Sequence, residues 1–147
     1  MVTEVNKSTE VNKASMRRFY DEVFNKKNGA AIDEFINPNQ VDHAAPPGMP
    51  RGLQGAKQTI TMYLTAFPDL HFTVEDIIAE GDKVVTRLTC RGTQQGAFMG
   101  IPPTGKQATT TAIDVNRFAD GKSVEHWLNM DTLGLLQQLG AIPAPGQ

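Results

Sequence analysis

Asp114 and His126 flank an Asp120-Gly121 turn signal, and together they have the types needed to move protons. A carboxylate beside an imidazole fixes the ring tautomer and raises its basicity, so the ring can take a proton near neutral pH. Asp and His are also unusual choices where β-branched residues make a better strand. Whether the two meet depends on register. A two-residue turn pairs Ala119 with Lys122, whereas a bulged loop shifts the pairing by one and changes which faces coincide. The bulged register favoured here sets Asp114 opposite His126, with Ala112, Asn116, Val124 and Leu128 on the same face. Arg117, Glu125, Trp127 and Asn129 then share the other face, where Arg117 and Glu125 form an outward ion pair. Turn chemistry alone does not decide between the registers, and a purely structural Asp114–His126 pair is the alternative to a catalytic one.

A second candidate is Asp42-His43, at the start of a loop able to cap a cavity. Neighbours in a strand point to opposite faces, so only one of the two can face the pocket. His43 is read as a pocket residue that polarises an oxyanion with Asn116, or else as a loop anchor. His71 follows Pro-Asp-Leu at a strand start and is read as a surface or edge residue. Three scattered histidines give no metal site, and the lone Cys90 has no partner for a disulfide or a cysteine-based zinc site. Cys90 is read as a buried structural thiol. The chain contains no Walker loop, dinucleotide fingerprint or Gly-x-Ser-x-Gly elbow.

The elements that must position these groups follow from periodicity. Met16, Phe19, Tyr20, Val23 and Phe24 recur at helical spacing, so residues 12–26 are predicted as an amphipathic helix stopped at Asn28-Gly29. Residues 30–35 form a short helix, residues 40–45 a short strand or extended arm, and residues 55–67 a third helix. Strands follow at 71–79, 83–92, 107–118 and 123–128, and Asp131 caps a last helix through Leu139. On the second of these strands Val84, Thr86, Leu88 and Cys90 make a mostly apolar face. Helices followed by a meandering antiparallel sheet predict an α+β fold, a curved sheet wrapped around N-terminal helices with a cavity inside.

The 147 residues fit one domain, taken as 13–141, between a loose N-terminal tail (1–12) and a Pro/Gly-rich C-terminal tail (142–147). A net charge of −2 gives no electrostatic case for nucleic acid or an anionic membrane. The polar N-terminus lacks a signal or anchor pattern, which makes a reducing cytoplasm the expectation.

From about Arg17 to Gly140 the chain resembles the SnoaL-like polyketide (ester) cyclases of the nuclear-transport-factor-2-like superfamily. The residues carrying the resemblance are Phe24-Asn25, Gly55-Ala56-Lys57, Ala66-Phe67-Pro68-Asp69, Gly100-Ile101-Pro102-Pro103-Thr104, Arg117 with Asp120-Gly121-Lys122, and Gln138-Leu139-Gly140. The resemblance implies a cone-shaped sheet over helices, oligomers (a homodimer or homotetramer) built on the sheet, and no cofactor. It also implies an intramolecular aldol closure in which an aspartate, helped by histidines, serves as acid and base. Aligned on Arg117-Asp120-Gly121, the family's aspartate falls on Leu128, one histidine on Asp114, and a second histidine on His126. Phe24 and Met62 match apolar pocket positions, which implies a small hydrophobic ligand.

The expectation is a cofactor-free enzyme acting on a hydrophobic carbonyl compound, with Asp114 and His126 as the acid–base pair. Asn116, Leu128, Phe24, Met62 and Asp42 would contact substrate. A non-catalytic binder of a hydrophobic metabolite is the alternative. A further reading is an epoxide hydrolase in which Arg87 bridges Asp42 and Asp114.

Overall fold

Met16, Tyr20, Val23 and Phe24 are all buried on one side of the first helix, as their spacing requires. A computed structural model describes residues 4–146, so residues 1–3 of the expected tail and residue 147 lie outside it. The first helix, α1 (Glu4–Phe19), starts earlier than predicted and passes into a π-helical turn over Tyr20–Asn25. A 3-10 turn at Gly29–Ala31 and a single turn of helix, α2 (Ile32–Phe35), lead into strand β1 (Ile36–Asp42). Helix α3 (Gly52–Ala66) packs on β1. Its first residue, Gly52, has φ +71°, and a Cβ there would lie 2.0 Å from the Pro38 carbonyl oxygen. Only glycine permits that close approach.

Four strands follow, β2 (His71–Glu80), β3 (Lys83–Thr93), β4 (Gln107–Ala119) and β5 (Lys122–Met130). The sheet order is β1-β5-β4-β3-β2. The meander β2–β5 is antiparallel, but β1 pairs with β5 in parallel, so the curved, unclosed sheet is mixed and not purely antiparallel as predicted. The reason lies in the route of the chain: β1 reaches the sheet from the helical layer and joins the free edge of β5 instead of a hairpin partner.

The inner face alternates as a half-buried sheet should. Val84, Thr86, Leu88 and Cys90 of β3 and Ala108, Thr110, Ala112, Asp114 and Asn116 of β4 are all buried. Helix α4 (Thr132–Gln138) closes one end, with Asp131 accepting from the Gly134 amide at 3.0 Å, as predicted for its cap. No helix among the described residues is long and apolar enough to cross a membrane.

The β4–β5 hairpin contains the predicted bulge, but in a different register. Ala119 pairs with Lys122 and Phe118 with Ser123, then the register shifts so that Arg117 pairs with Glu125, Asn116 with His126 and Asp114 with Leu128. Asp114 is therefore not directly opposite His126. The parity of the faces survives, and the Arg117–Glu125 ion pair forms at 3.0 Å. Val124 is the extra residue of the bulge, and Ser123, not Val124, is the one buried.

Candidate active site

A cavity of about 110 Å³ lies between α1, α3 and the inner face of the sheet. Its helix side is aromatic: Phe19, Tyr20 and Phe24 from the first helix and its π turn, and Tyr63 from α3, with Phe72 of β2 beside them. Its polar groups come from the opposite side, Gln40 and Asp42 on β1, Asp114 and Asn116 on β4, and Ser123 and His126 on β5. The combination is an apolar pocket with convergent polar groups on one wall.

At the centre of that wall His126 is held between two carboxylates. Its Nδ1 is 2.9 Å from Asp42 Oδ1, and its Nε2 is 3.7 Å from Asp114 Oδ2, a charge contact longer than a hydrogen bond. Asp42 also accepts from the Ala44 amide at 2.9 Å. Asp114 is 1% exposed. Its Oδ2 accepts from the Tyr20 hydroxyl and from Asn116 Nδ2, the latter at 3.3 Å. Among the described residues, three buried side-chain oxygens have no partner, Thr59 Oγ1, Thr86 Oγ1 and Asp114 Oδ1. Thr59 and Asp114 both line the cavity. A buried carboxylate oxygen without a partner is unusual in a native structure and marks a place where a ligand atom can bind.

Two carboxylates and burial act on the His126 ring in opposite directions. Burial pulls His126 down, but its hydrogen bond to Asp42 and the charges of Asp114 and Asp42 outweigh it and lift the ring to about 9. Burial likewise pushes Asp42 up, yet its bond to His126 and that ring's charge, with the Ala44 amide, bring it below its usual value. The ring is thus an imidazolium at neutral pH. Two carboxylates favour the charged ring, so in the acid–base role expected for it His126 would start as the acid. Burial, then the Asp114 charge, holds the Tyr20 phenol well above its ordinary value, so Tyr20 stays a donor. Cys90, buried and near Asp114, is pushed up to about 12, which fits an inert structural thiol.

Asp42, Asp114, Asn116, His126, Leu128 and Phe24 all line the cavity; His43 and Met62 do not. Asp42, the last residue of β1, points in, and His43, in the turn that follows, points out. There His43 Nε2 meets Glu125 Oε2 at 2.8 Å and the ring stacks on Trp127 at 5.1 Å between centroids. On α3 the stripe Ala56, Thr59, Ile60 and Tyr63 faces the cavity, which leaves Met62 off that face. Arg87 is exposed on the outer face of β3, so it does not bridge Asp42 and Asp114; His126 occupies the place between them.

The sequence reading missed four residues. Tyr20 read as one more apolar position of a helix stripe, and nothing in the spacing announced the π turn that sets it over Asp114. Thr59, Gln40 and Ser123 carried no motif. The only available signal was polar identity at positions the pattern buries.

Known proteins resemble this chain in sequence and in fold. The family model for SnoaL-like polyketide cyclase matches residues 14–139. Aklanonic acid methyl ester cyclase DnrD of Streptomyces peucetius is 30% identical over 108 residues, 73% of this chain and 72% of that protein. Nogalonic acid methyl ester cyclase of Streptomyces nogalater is 29% identical over 119 residues, 80% of this chain and 89% of that protein. Among solved structures, TsrD from Streptomyces laurentii superposes with a TM-score of 0.83 at 32% identity, covering 90% of this chain and 97% of that one.

Proposed function

The chain belongs to the SnoaL-like polyketide cyclase family, and from that premise we propose that it is a cyclase-type enzyme closing a ring in a small hydrophobic carbonyl compound by acid–base chemistry. The observation that carries this reading is the buried Asp42–His126–Asp114 array, with Asp114 Oδ1 left unpartnered, on the polar wall of an aromatic cavity.

In this reading Asp114 Oδ1 takes a proton from a carbon acidified by an adjacent ester or ketone. The enolate oxygen is stabilised by His126 Nε2–H, a full positive charge in a water-poor site. The enolate carbon then attacks the second carbonyl. One C–H bond is broken, one C–C bond is formed, and the attacked carbonyl becomes an alkoxide that takes its proton from His126. After ring closure the proton on Asp114 returns to the ring through one water in the emptied cavity, which resets the site. The product is an isomer of the substrate, and every step is a proton transfer or carbon–carbon closure, so the reading requires no cofactor. Tyr20 and Asn116 hold the Asp114 carboxylate, and Asp42 fixes the ring.

The aspartate that the family resemblance assigns to this chemistry falls on Leu128. Asp114 is the direct cross-strand partner of Leu128, so in this reading a carboxylate one rung across, on the inner face, takes that aspartate's part. The presence of Leu128 in the lining also supports a second reading, a binder of a hydrophobic metabolite without chemistry. The two separate in one experiment, with aklanonic and nogalonic acid methyl esters, the compounds in the relatives' names, as probes. Isomerisation lowered about 10²–10⁴-fold by Asp114→Asn supports the enzyme. Binding without product supports the second reading, and turnover unchanged in Asp114→Asn removes Asp114 from the mechanism. A homodimer or homotetramer built on the outer face of the sheet belongs to the same proposal.

A further inference from the structure

Three buried polar side chains stand beside Asp114 in the cavity wall, in a chain that the proton inventory orients. Gln40, Ser123 and Asn116 are 4%, 2% and 4% exposed. Gln40 Nε2 donates to Ser123 Oγ at 2.8 Å, Ser123 Oγ donates to Asn116 Oδ1 at 2.6 Å, and Asn116 Nδ2 donates to Asp114 Oδ2 at 3.3 Å. A serine hydroxyl has one hydrogen. The other acceptor in its reach, the Glu125 carbonyl oxygen, is at 3.4 Å, so the hydrogen goes to Asn116. That bond decides which end of the Asn116 amide faces the carboxylate. Turned over, Asn116 would set an oxygen against Asp114 Oδ2 and an amine against the Ser123 hydroxyl.

Two register irregularities converge on Ser123. By alternation it would share the outward face of Glu125 and Trp127. The β4–β5 bulge at Val124 turns it inward instead. On the other side, the β1–β5 pairing runs from Ile36↔Ser123 directly to Val41↔Glu125, an irregular stretch that carries Gln40. Bulges re-aim side chains at functional sites, and a fully connected buried polar network specifies one geometry.

We propose that Ser123, set by Gln40, is a positioning residue that locks the Asn116 amide with its donor on Asp114. This rests on the reading of Asp114 as the group that takes the substrate proton, and it deepens that reading.

The test follows the Asn116 side-chain amide protons by NMR in the wild type, Ser123→Ala and Ser123→Thr. Turnover of the two methyl esters is measured in parallel, and thermal unfolding confirms that each variant folds. The expected result for Ser123→Ala is that Asn116 Nδ2–H exchange with solvent rises and kcat falls, each by about tenfold to a hundredfold, with KM within about twofold. Ser123→Thr, which keeps the hydroxyl, restores both, and Ser123→Ala adds nothing further to kcat in an Asn116→Ala background. Unchanged Asn116 exchange in folded Ser123→Ala overturns the proposal. Should Asp114→Asn retain full turnover while the exchange result stands, the catalytic reading fails and the locking of Asn116 survives as a structural fact. If neither ester reacts, the exchange arm alone decides the lock.

Discussion

At the scale of single residues, the decisive quantity is the charge on His126, and that was the part the sequence did not reveal. Residue type and spacing pointed to Asp114 and His126 as a candidate acid–base pair. They could not show that Asp42 approaches the ring from the other side, where its carboxylate favours the protonated ring. The consequence is a pH dependence with a definite sign. His126 is raised from 6.5 to about 9 on folding, so its contribution to stability is complete below about 6.5 and is lost as pH rises through about 9. Asp42 is lowered from 3.8, so its contribution is present above that value and lost as pH falls through its lowered one. The unfolding midpoint is therefore expected to decline between pH 6.5 and 9, and turnover to fall on an alkaline limb near 9 as the acid is lost. Thermal melts and rate profiles from pH 5 to 10 check both. A midpoint flat through pH 9 removes the charged ring from the account. Tyr20 adds a second expectation: Tyr20→Phe leaves Asp114 with one donor fewer, and a folded variant should lose turnover by about tenfold or more.

At the scale of elements, most boundaries were legible because each rests on a local rule. The β3 face of Val84, Thr86, Leu88 and Cys90 follows from alternation, and the Asp131 cap from the short carboxylate before an apolar turn. Asp131→Ala is expected to lower stability by about 1 kcal/mol, as removing a helix cap does, read as a shift in the urea midpoint at unchanged slope. Pairing was not legible in the same way. The parity of the β4–β5 faces came through, but the register did not, because a bulge depends on what both strands bury and not on the turn residues alone. The parallel docking of β1 was also hidden, since Ile36–Asp42 has no run of alternating apolar residues to announce a strand. Its placement depends on Gly52, where α3 touches the Pro38 carbonyl. Gly52→Ala combines an unfavourable φ with a backbone clash, and is expected to destabilise by about 1–3 kcal/mol. Because α3 carries Thr59 and Tyr63, the same variant should also weaken ester binding. Wild-type stability in Gly52→Ala would mean that α3 can shift without consequence.

At the scale of the whole molecule, the two faces of the sheet divide the work. The inner face, covered by α1 and α3, holds the cavity with Asp42, Asp114 and His126 in its wall. The outer face carries an apolar row that runs rung by rung across four strands: Ile78 pairs with Val85, Val85 with Val115, and Val115 with Trp127. Ile78 is 60% exposed and Ile113, on the same face, 49%. A continuous apolar row of this kind is rarely left in water. A two-fold axis through it would set each row against its copy, which is how a self-complementary interface forms. The proposed homo-oligomer therefore has a specific place to form. Val115→Glu puts a charge at the middle of the row, on the side of the sheet away from the cavity. Sedimentation velocity at micromolar concentration should show the wild type as a dimer or tetramer and Val115→Glu as a monomer, with ester turnover per chain within about twofold, because surface changes away from the core and site are usually near-neutral. A wild-type monomer under those conditions would reject the oligomer. A monomeric Val115→Glu that loses turnover would show instead that the outer face supports the inner one, since β4 carries Val115 and Asp114 on adjacent positions of the same strand.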